Sequence, residues 1–268
     1  MKGNNKISIS NVRAIVSCQS AGNLFGTQVN VSIYGLSMEL LAALSAKAMG
    51  NFGPNTDSIL LDIYTEDVKV FSGFMTSSIA NMNAVPNAAL MINATANNEL
   101  QRGSSPPFSA RGDISASDIL NAICKPVSYS PIITGLDKLV VTNPHYSGSV
   151  FDQLEAFCYD YRISMSVMAP KISFWPTGRK VDDVVPFISE QHGLIGYPIF
   201  SNGGAMFQTQ FSTLLTTGRN ITLKTILPHA SGEYNLSTVT HELSSWIPDG
   251  PWHSICIANR QAENNKES

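Results

Sequence analysis

Charged residues are scarce in this sequence. Asp, Glu, Lys and Arg make up 14% of the chain, compared with roughly 25% in typical soluble domains. The 17 basic and 20 acidic residues give a net charge of −3, and neither sign forms a run. Because a nucleic-acid-binding face needs many Lys and Arg side chains, the composition argues against nucleic-acid binding. Low charge fits a surface that contacts other subunits, and it equally fits a β-rich protein with a Ser/Thr-rich exterior.

Long hydrophobic runs are also missing. No apolar stretch approaches the roughly 20 residues that cross a bilayer, and the first residues, MKGNNKISIS, lack the apolar segment of a signal peptide. We therefore expect no membrane segment and assembly in a cytoplasm. Hydrophobic residues nevertheless make up 43% of the chain, which is enough for a globular protein with a sizeable core.

Cysteine is sparse and scattered. The four cysteines are Cys18, Cys124, Cys158 and Cys256, without a C-x-x-C pair or the spacing of metal ligands. Cys124 and Cys158 fall beside apolar residues on predicted helices. The pattern predicts reduced cysteines that pack in the core.

Residues 1–100 have mostly strand character. Apolar and polar residues alternate in several segments, which predicts strands with one buried face. The alternating apolar residues are Val29, Val31 and Ile33, then Ile59, Leu61 and Ile63, then Leu90, Ile92 and Ala94. A similar segment from Val68 to Ile79 is interrupted at Gly73, which predicts a bulge or a close backbone approach. One helix is predicted from Met38 to Ala48, with Ser37 as its N-cap.

The segment QRGSSPPF (101–108) interrupts this pattern, because adjacent prolines and a Gly-Ser cluster do not continue a helix or a central strand. We place a domain boundary there. Beyond it, two serine–aspartate pairs at capping-box spacing precede apolar residues at helical spacing. The pairs are Ser115 with Asp118 and Ser149 with Asp152. Short strands are predicted at residues 163–167 and 172–175.

Residues 185–260 return to strand patterns. The Asn-Gly-Gly sequence at 202–204 is a strong hairpin signal, because primed turns require positive φ, and Pro-Asp-Gly-Pro at 248–251 predicts a second sharp turn. The predicted strands run from Ala205 to Phe211, Asn220 to Leu227, Tyr234 to Leu243 and His253 to Ala258.

The sequence therefore predicts a mainly β protein with an α+β insert. Two small β-barrel-like domains, at residues 1–100 and 185–260, are expected to flank a small α+β module at 101–184. The first domain carries the one predicted helix. The polar tail, residues 261–268, is expected to be disordered.

The pair His241-Glu242 begins like a zinc-protease motif. The segment HELSS lacks the second histidine that the motif needs, and its surroundings have strand character, whereas the motif requires a helix to bring both ligands to one face. His253 offers a further ligand if it lies across a hairpin from Glu242. A strand histidine hydrogen-bonded near Trp246 and Trp252 explains the same residues without an ion, and we expect no bound metal.

No catalytic set stands out either. Ser149 follows Gly148 and is close to His145, but the segment does not match the nucleophile elbow G-x-S-x-G, and an N-cap role accounts for Ser149. Glycosidase chemistry needs two carboxylates in one cleft, whereas no acidic pair here has an apolar or aromatic background. The acidic residues considered are Glu39, Asp62, Glu66, Asp182 and Asp183. We expect no catalytic residue and no cofactor.

Arginine and tryptophan are enriched at interface hot spots. Arg219 opens a predicted strand and Trp246 lies in a predicted loop, so both are candidate contact residues. The alternative for Arg219 is a loop arginine that binds a nearby backbone carbonyl. Trp175, Trp246 and Trp252 also leave open a carbohydrate-binding module.

Three segments carry a resemblance to a known family. They are NPHYSGSVFDQLEAFCYDYRISMSV (143–167), GLIGYPIF (193–200) and TTGRNITLKTILPHASGEYNLSTVTHEL (216–243). With the order strand domain, α+β insert, strand domain, they resemble the baseplate hub proteins of contractile-tailed bacteriophages, related to the phage Mu hub and late control protein D type. The first hundred residues match that family only in layout.

The resemblance implies a structural hub of the virion tail baseplate. Such a hub is a homotrimer whose two barrel-like domains per chain place six similar units around a channel. It joins the six-fold tail tube to a three-fold central spike and contacts other baseplate proteins, and DNA passes through the channel during genome ejection without specific binding. The alternatives are another tail-tip or distal tail protein, which favours a hexamer, a cell-wall hydrolase or metal-dependent peptidase, and a monomeric carbohydrate-binding module.

Overall fold

The computed structural model describes residues 6–21, 26–49, 59–83, 85–102, 105–127, 129–201 and 203–261. Asn202 of the predicted hairpin turn and the predicted disordered tail beyond Gln261 lie outside the described residues. Strands hold 49% of the residues and helices 17%, so the expected mainly β class is confirmed. Within the described part of the chain, no helix is long and apolar enough to span a bilayer.

The N-terminal part of the chain forms five strands and one helix. The strands are β1 (Ala14–Ala21), β2 (Thr27–Tyr34), β3 (Leu60–Thr65), β4 (Val68–Asn81) and β5 (Ala89–Thr95), and helix α1 (Met38–Met49) lies between β2 and β3. As predicted, α1 begins after Ser37, whose hydroxyl accepts a hydrogen bond from the Leu40 amide at 3.3 Å. The valines of β2 are buried and its alternate residues face outward.

Gly73 marks a close backbone approach, one of the two predicted alternatives. A Cβ atom at this position would lie 2.6 Å from Phe71 Cζ and 2.8 Å from the carbonyl carbon of Thr95. Because no L side chain fits there, glycine lets β4 lie close to the Thr95 backbone at the end of β5. The bulges of this strand lie on either side of Gly73, at Val70 opposite β3 and at Thr76 opposite β5.

The middle part is a compact α+β module. Its elements are α2 (Asn98–Arg102), β6 (Phe108–Ser109), β7 (Asp113–Ser115), α3 (Ala116–Cys124), β8 (Ser130–Ile133), β9 (Val140–Thr142), β10 (His145–Tyr146), α4 (Val150–Tyr161), β11 (Ile163–Met168) and β12 (Lys171–Pro176). N-cap serines begin both longer helices, and the predicted capping box is complete only in α4, where the Ser149 amide also donates to Asp152. Ser115 Oγ accepts from the Asp118 amide at 3.1 Å, and Ser149 Oγ accepts from the Asp152 amide at the same distance.

Loss of the capping box at Ser149 is expected to lower stability by a measurable amount. Replacing Ser149 with alanine removes an acceptor for the Asp152 amide and is expected to lower the free energy of unfolding by about 1 kcal/mol, within the range of measured N-cap losses. Urea denaturation of the variant and the parent protein measures this difference. Ser147→Ala, an exposed change two residues earlier, is the control, and equal stabilities of the two variants would contradict the capping role.

The C-terminal part returns to strands. They are β13 (Phe187–Ile188), β14 (Leu194–Ser201), β15 (Gly204–Gln210), β16 (Asn220–Leu223), β17 (Gly232–Ser245) and β18 (Trp252–Arg260). The prediction of a strand as far as Leu227 was wrong, because the chain leaves the sheet after Leu223. There the Lys224 amide bonds the Ile188 carbonyl, and Ser231 Oγ accepts from the Thr225 amide.

The two β regions are joined into one sheet of 11 strands. Its main path runs β14-β15-β18-β17-β1-β2-β5-β4-β3, and every pair along it is antiparallel. β16 pairs with the first part of β17, and β13 extends β16. In the described part of the chain this path stays open, so the two regions expected to be barrel-like are halves of one open sheet.

Three separate clusters of buried apolar residues lie in this architecture. The first, packed between the N-terminal strands and α1, includes Phe71 and Leu90. The second fills the α+β module and includes Leu154 and Phe157. The third lies under the C-terminal strands and includes Tyr234. Each fully buried large side chain contributes about 1.5–3 kcal/mol relative to an exposed one, so each part of the chain has its own stabilising core.

The two halves of the large sheet repeat the same strand order. In the N-terminal half the neighbours run first, second, fifth, fourth, third (β1-β2-β5-β4-β3), and the C-terminal half repeats this order as β14-β15-β18-β17-β16. In both halves the fourth strand has 14 residues and one extra residue opposite the fifth strand. That residue is Thr76 in β4 and Ser237 in β17.

Hydrogen bonds next to the bulges are also repeated. The Met75 amide donates to the Ile59 carbonyl, and the Leu236 amide donates to the Arg219 carbonyl, both at 2.9 Å. Each bond joins the residue before the bulge to the residue at which the third strand enters the sheet. The halves therefore share strand order, the bulge opposite the fifth strand and the point at which the third strand enters the sheet, although their residues differ.

Candidate functional site

The structure separates His241 from Glu242. Successive strand residues point to opposite faces of a sheet, so His241 points into the core while Glu242 points outward. Glu242 lies directly opposite His253, as the sequence suggested, and its Oε1 accepts a hydrogen bond from Ser17 Oγ at 2.7 Å. Within the described part of the chain, no group of three His, Cys, Asp or Glu side chains is placed to hold a metal ion.

His241 is a core histidine. It is 9% exposed, its Nδ1 lies 2.8 Å from Ser254 Oγ, and its ring makes an edge contact with Phe211, which in turn contacts Trp252. Burial lowers the pKa of His241 to about 4, and a hydrogen bond to the Leu215 backbone opposes this shift. The ring is therefore neutral at pH 7.

The candidate nucleophile and the candidate acids have structural partners. Ser149 is held by its capping box: the Ser149 amide and hydroxyl both donate to Asp152 Oδ2, at 2.9 and 2.8 Å. Asp62 accepts from Ser72 Oγ at 2.6 Å and pairs with Lys69 at 3.0 Å. The pKa of Asp62 is lowered because these hydrogen bonds and the Lys69 charge outweigh its desolvation.

Arg219 is occupied within the chain and is not an exposed contact residue. Its Nε donates to Asp182 Oδ1 at 2.9 Å, its Nη2 pairs with Asp182 Oδ2, and its Nη1 donates to the Leu214 carbonyl at 2.5 Å. The side chain is only 12% exposed. The hydrogen bond from Arg219 lowers the pKa of Asp182. The carbonyl contact agrees with the alternative that the sequence left open.

The three tryptophans do not share a surface. Trp175 is 2% exposed and packs on Gly218, whereas Trp246 and Trp252 are 73% and 51% exposed. A carbohydrate-binding surface needs several exposed aromatic rings, and the buried Trp175 cannot contribute to one.

All four cysteines are free and buried. Burial raises the pKa of each thiol to about 12, which keeps them protonated and unreactive. The predicted core position of Cys124 and Cys158 is confirmed.

One face of the large sheet remains open, away from the cores of its two halves. We define this open face by the outward residues of β1, β2, β5, β15, β18 and the second part of β17. They include Gln19, Gln28, Asn30, Asn93, Thr238, Thr240, Met206, Gln208 and Ile257. The first five of these strands contain no acidic residue, and Arg260, at the end of β18, is their only Lys or Arg. The strands of the open face are therefore neutral and polar, and their carboxylate, Glu242, is hydrogen-bonded. Phe151 and Glu155 of α4 line a cavity with Gln28, Asn30 and Asn93 at one end of this face.

Comparisons of the sequence with known protein families and with curated proteins found no match. Comparison of the structure with solved structures did. A tail protein from Neisseria meningitidis aligns with a TM-score of 0.67 at 7% identity, covering 93% of this chain and 96% of its own. A 43 kDa tail protein of prophage MuSo2 from Shewanella oneidensis aligns with a TM-score of 0.65 at 8% identity, covering 93% of both chains.

The chain has the fold of phage tail proteins. A third structure with this tail-protein fold is a component of the E. coli type VI secretion system, described as similar to the T4 bacteriophage tail proteins gp27 and gp5. It aligns with a TM-score of 0.61 at 10% identity and covers 97% of this chain and 78% of its own. Because the aligned shares are this large, the tail-protein fold comprises both sheet halves and the module between them.

Proposed function

We propose that this protein is a structural component of a bacteriophage or prophage tail, and specifically the hub of the baseplate. The observation that carries the proposal is the tail-protein fold, which spans 93–97% of the chain in the three structures described above. Under this proposal the protein has no enzymatic turnover, and its location is the tail baseplate of the virion.

The repeated half-sheet supports a symmetry-adapting hub. Two halves with the same strand order and the same bulge in one polypeptide present two similar surfaces. Three copies then present six such surfaces, so a three-fold ring meets a six-fold tail tube on one side and a three-fold spike on the other. We propose the division of the chain into two β units, residues 1–100 and 185–260, around the module 101–184, with 261–268 as a tail.

The open face supports a role beside passing DNA. Nucleic acids bind proteins mainly through Lys and Arg contacts to phosphate, and Arg260 is the only Lys or Arg in β1, β2, β5, β15 and β18. A channel wall built from amides, hydroxyls and a few apolar side chains lets DNA pass without retaining it. The low charge of the whole chain also fits side walls that are buried against neighbouring subunits.

The mass in solution tests the hub. Light scattering on the purified chain, alone and mixed with the tail tube and spike proteins of the same phage, is expected to give an assembly containing three copies, a mass of three times 28.9 kDa for this component. A hexamer would favour a distal tail protein instead. A cleared zone on a peptidoglycan gel would contradict the non-enzymatic role, and Ser149→Ala, Asp62→Asn and Asp182→Asn variants would then locate the activity.

A further inference from the structure

We propose that β14 of one copy pairs with the second part of β4 in the next copy, and that this contact repeats between chains the junction that β1 and β17 make within the chain. The inference rests on the proposed ring of copies and names the strands that close it. It follows from comparing the two halves of the sheet strand by strand.

The internal junction shows how two halves join. The second part of β17, beyond its bulge, pairs antiparallel with the first strand of the other half, from Thr238 opposite Ala21 to Ser245 opposite Ala14. The first part of β17 pairs with β16 along the same edge. One edge of a fourth strand thus holds its own third strand before the bulge and the first strand of another half after it.

The equivalent edge in the N-terminal half has no partner in the described part of the chain. β3 pairs with the first part of β4, up to Phe74, and the described strands leave residues 76–81 unpaired on that side. At the other end of the sheet, β14 pairs with β15 on one side, and no described strand pairs with its second edge. A fourth strand and a first strand are therefore both unpaired at the positions that are joined inside the chain.

Side chains at both edges are incompletely covered. Ile79 of β4 is 59% exposed and Ile199 of β14 is 62% exposed, and both belong to the face of the sheet that carries Met91 and Met206. Ser78 Oγ, buried in β4, has no hydrogen-bond partner within the described part of the chain. Apolar side chains on two open edges favour strand pairing between copies.

The repeat predicts the register of this pairing. Asn81 is the fifth residue after the bulge of β4, as Glu242 is the fifth after the bulge of β17. Ile199 corresponds to Ser17, which lies opposite Glu242. Ile199 of one copy is therefore expected opposite Asn81 of the next.

The same register places Phe200 opposite Ala80. Phe200 packs against the core of its own half, and Ala80 packs against the core of the other. A large side chain thus meets a small one at the point where the two cores approach.

β14 differs from β1 in one respect that limits the contact. Its register shifts between Ile195 and Ile199, where three residues face one residue of β15, and Pro198 in this bulge has no amide to donate. We therefore expect pairing on either side of the bulge. Bulges and prolines at sheet edges restrict indiscriminate pairing, so this feature favours a specific partner such as the β4 edge.

Disulfide trapping tests the pairing. Opposed residues in antiparallel strands have Cα atoms about 4.5–5.5 Å apart, within the range that a disulfide spans. A chain carrying Asn81→Cys and Ile199→Cys is expected to form cross-links between copies under mild oxidation, and closure of the ring gives a covalent trimer on a non-reducing gel. The native cysteines are buried and do not compete. Asn93→Cys with Ile199→Cys, in which the first cysteine lies on the internal strand β5, is the matched control and is expected to stay uncross-linked.

The possible outcomes test the strand pairing and the three-fold ring separately. Cross-linked species of two or of many copies, without a closed trimer, would support the pairing and overturn the three-fold hub. A trimeric mass without a cross-link would leave the hub intact and overturn the pairing, and the same result is expected if another part of this chain covers the β4 edge. Equal cross-linking of the control pair would also overturn it.

A charge at the edge provides an independent test. Ile79→Lys changes a side chain that is exposed in the single chain, so the fold is retained. The substitution replaces the apolar contact that Ile79 makes with Ile199, its diagonal neighbour across the proposed strand pair, and is expected to reduce the assembled fraction about threefold. Tyr159→Lys, at an 85% exposed position of α4, is the control. Unchanged assembly of the Ile79→Lys protein in light scattering would contradict the proposed contact.

Discussion

Replacement of Gly218 by alanine is expected to lower the free energy of unfolding by about 3 kcal/mol. Gly218 has φ +84°, and an added Cβ would lie 2.5 Å from Cζ2 and 2.6 Å from Cε2 of Trp175. The left-handed backbone costs an alanine roughly 1–2 kcal/mol, and forcing an extra carbon into a packed core adds roughly 1–3 kcal/mol. Urea or thermal denaturation followed by tryptophan fluorescence measures the loss.

Neither partner of this contact can move aside easily. The Gly218 amide donates to the Leu236 carbonyl at 2.7 Å, and the Gly218 carbonyl accepts from the Val181 amide at 2.8 Å and from Asn235 Nδ2 at 2.9 Å. Trp175 belongs to β12 of the module and is 2% exposed. The contact thus joins the α+β module to the C-terminal half of the sheet, so the substitution is expected to destabilise both parts.

Gly178 offers a matched control for this prediction. Its φ is +78°, close to that of Gly218, but an added Cβ would meet nothing within 4 Å. Gly178→Ala therefore measures the cost of the backbone conformation alone, about 1 kcal/mol. If the two variants lose the same stability, the clash with Trp175 makes no contribution and the argument for a rigid connection fails.

The local elements were predictable because their signals are contained in short segments. The capping box of Ser149 and Asp152 satisfies amides at the first turn of α4, and this requires only residues three apart. The alternation in β2 reflects one buried face, which depends on that strand's own residues. Sequence patterns of this range therefore predicted α1, α3, α4 and most strands of the large sheet, whereas α2, which runs into the predicted break at residues 101–108, was missed.

The joining of the two halves of the sheet could not be predicted from short segments of sequence. β1 pairs with strands on both edges, and its residues are mostly half-buried, so it lacks a clear alternation. The repeat itself lies in burial and register and not in residue identity. Ile92 and Cys256 occupy the same buried position of the fifth strand, and Val31 and Phe207 the same buried position of the second. Because equivalent positions hold different residues, the repeat can be recognised only when the strand pairings are known.

The candidate sites illustrate the same limit. Sequence proximity placed His241 beside Glu242, but strand geometry directs them to opposite faces, and the partner of Glu242 is Ser17, more than 200 residues away. The sequence made Arg219 a candidate contact residue, because it does not show that the guanidinium group pairs with Asp182. The free edges of β4 and β14 depend entirely on which strands are adjacent, and no local pattern encodes adjacency.

Stability is expected to fall steeply as the pH drops from about 6.5 towards 4, because His241 is buried in its neutral form. Its pKa is lowered from the ordinary value of 6.5 to about 4, so between these values the unfolded chain binds a proton that the folded chain does not. The folded-state advantage is fully present above pH 6.5 and is lost as the pH falls through this window. The loss amounts to about 3 kcal/mol, since one pKa unit corresponds to 1.36 kcal/mol.

A His241→Gln variant isolates this contribution from that of the carboxylates, which titrate in both proteins. At pH 7.5 the variant is expected to be less stable than the parent protein, because the glutamine packs less well between Phe211 and Ser254. At pH 4.5 that difference is expected to shrink or reverse, because only the parent pays the cost of keeping a neutral histidine. Urea denaturation from pH 7.5 to 4.5 measures the difference, and His145→Gln, which retains His241, is expected to keep the parent slope. If the stability difference between the parent and His241→Gln does not change with pH, His241 has an ordinary pKa in the folded protein. That result would contradict its enclosure in the β17–β18 core.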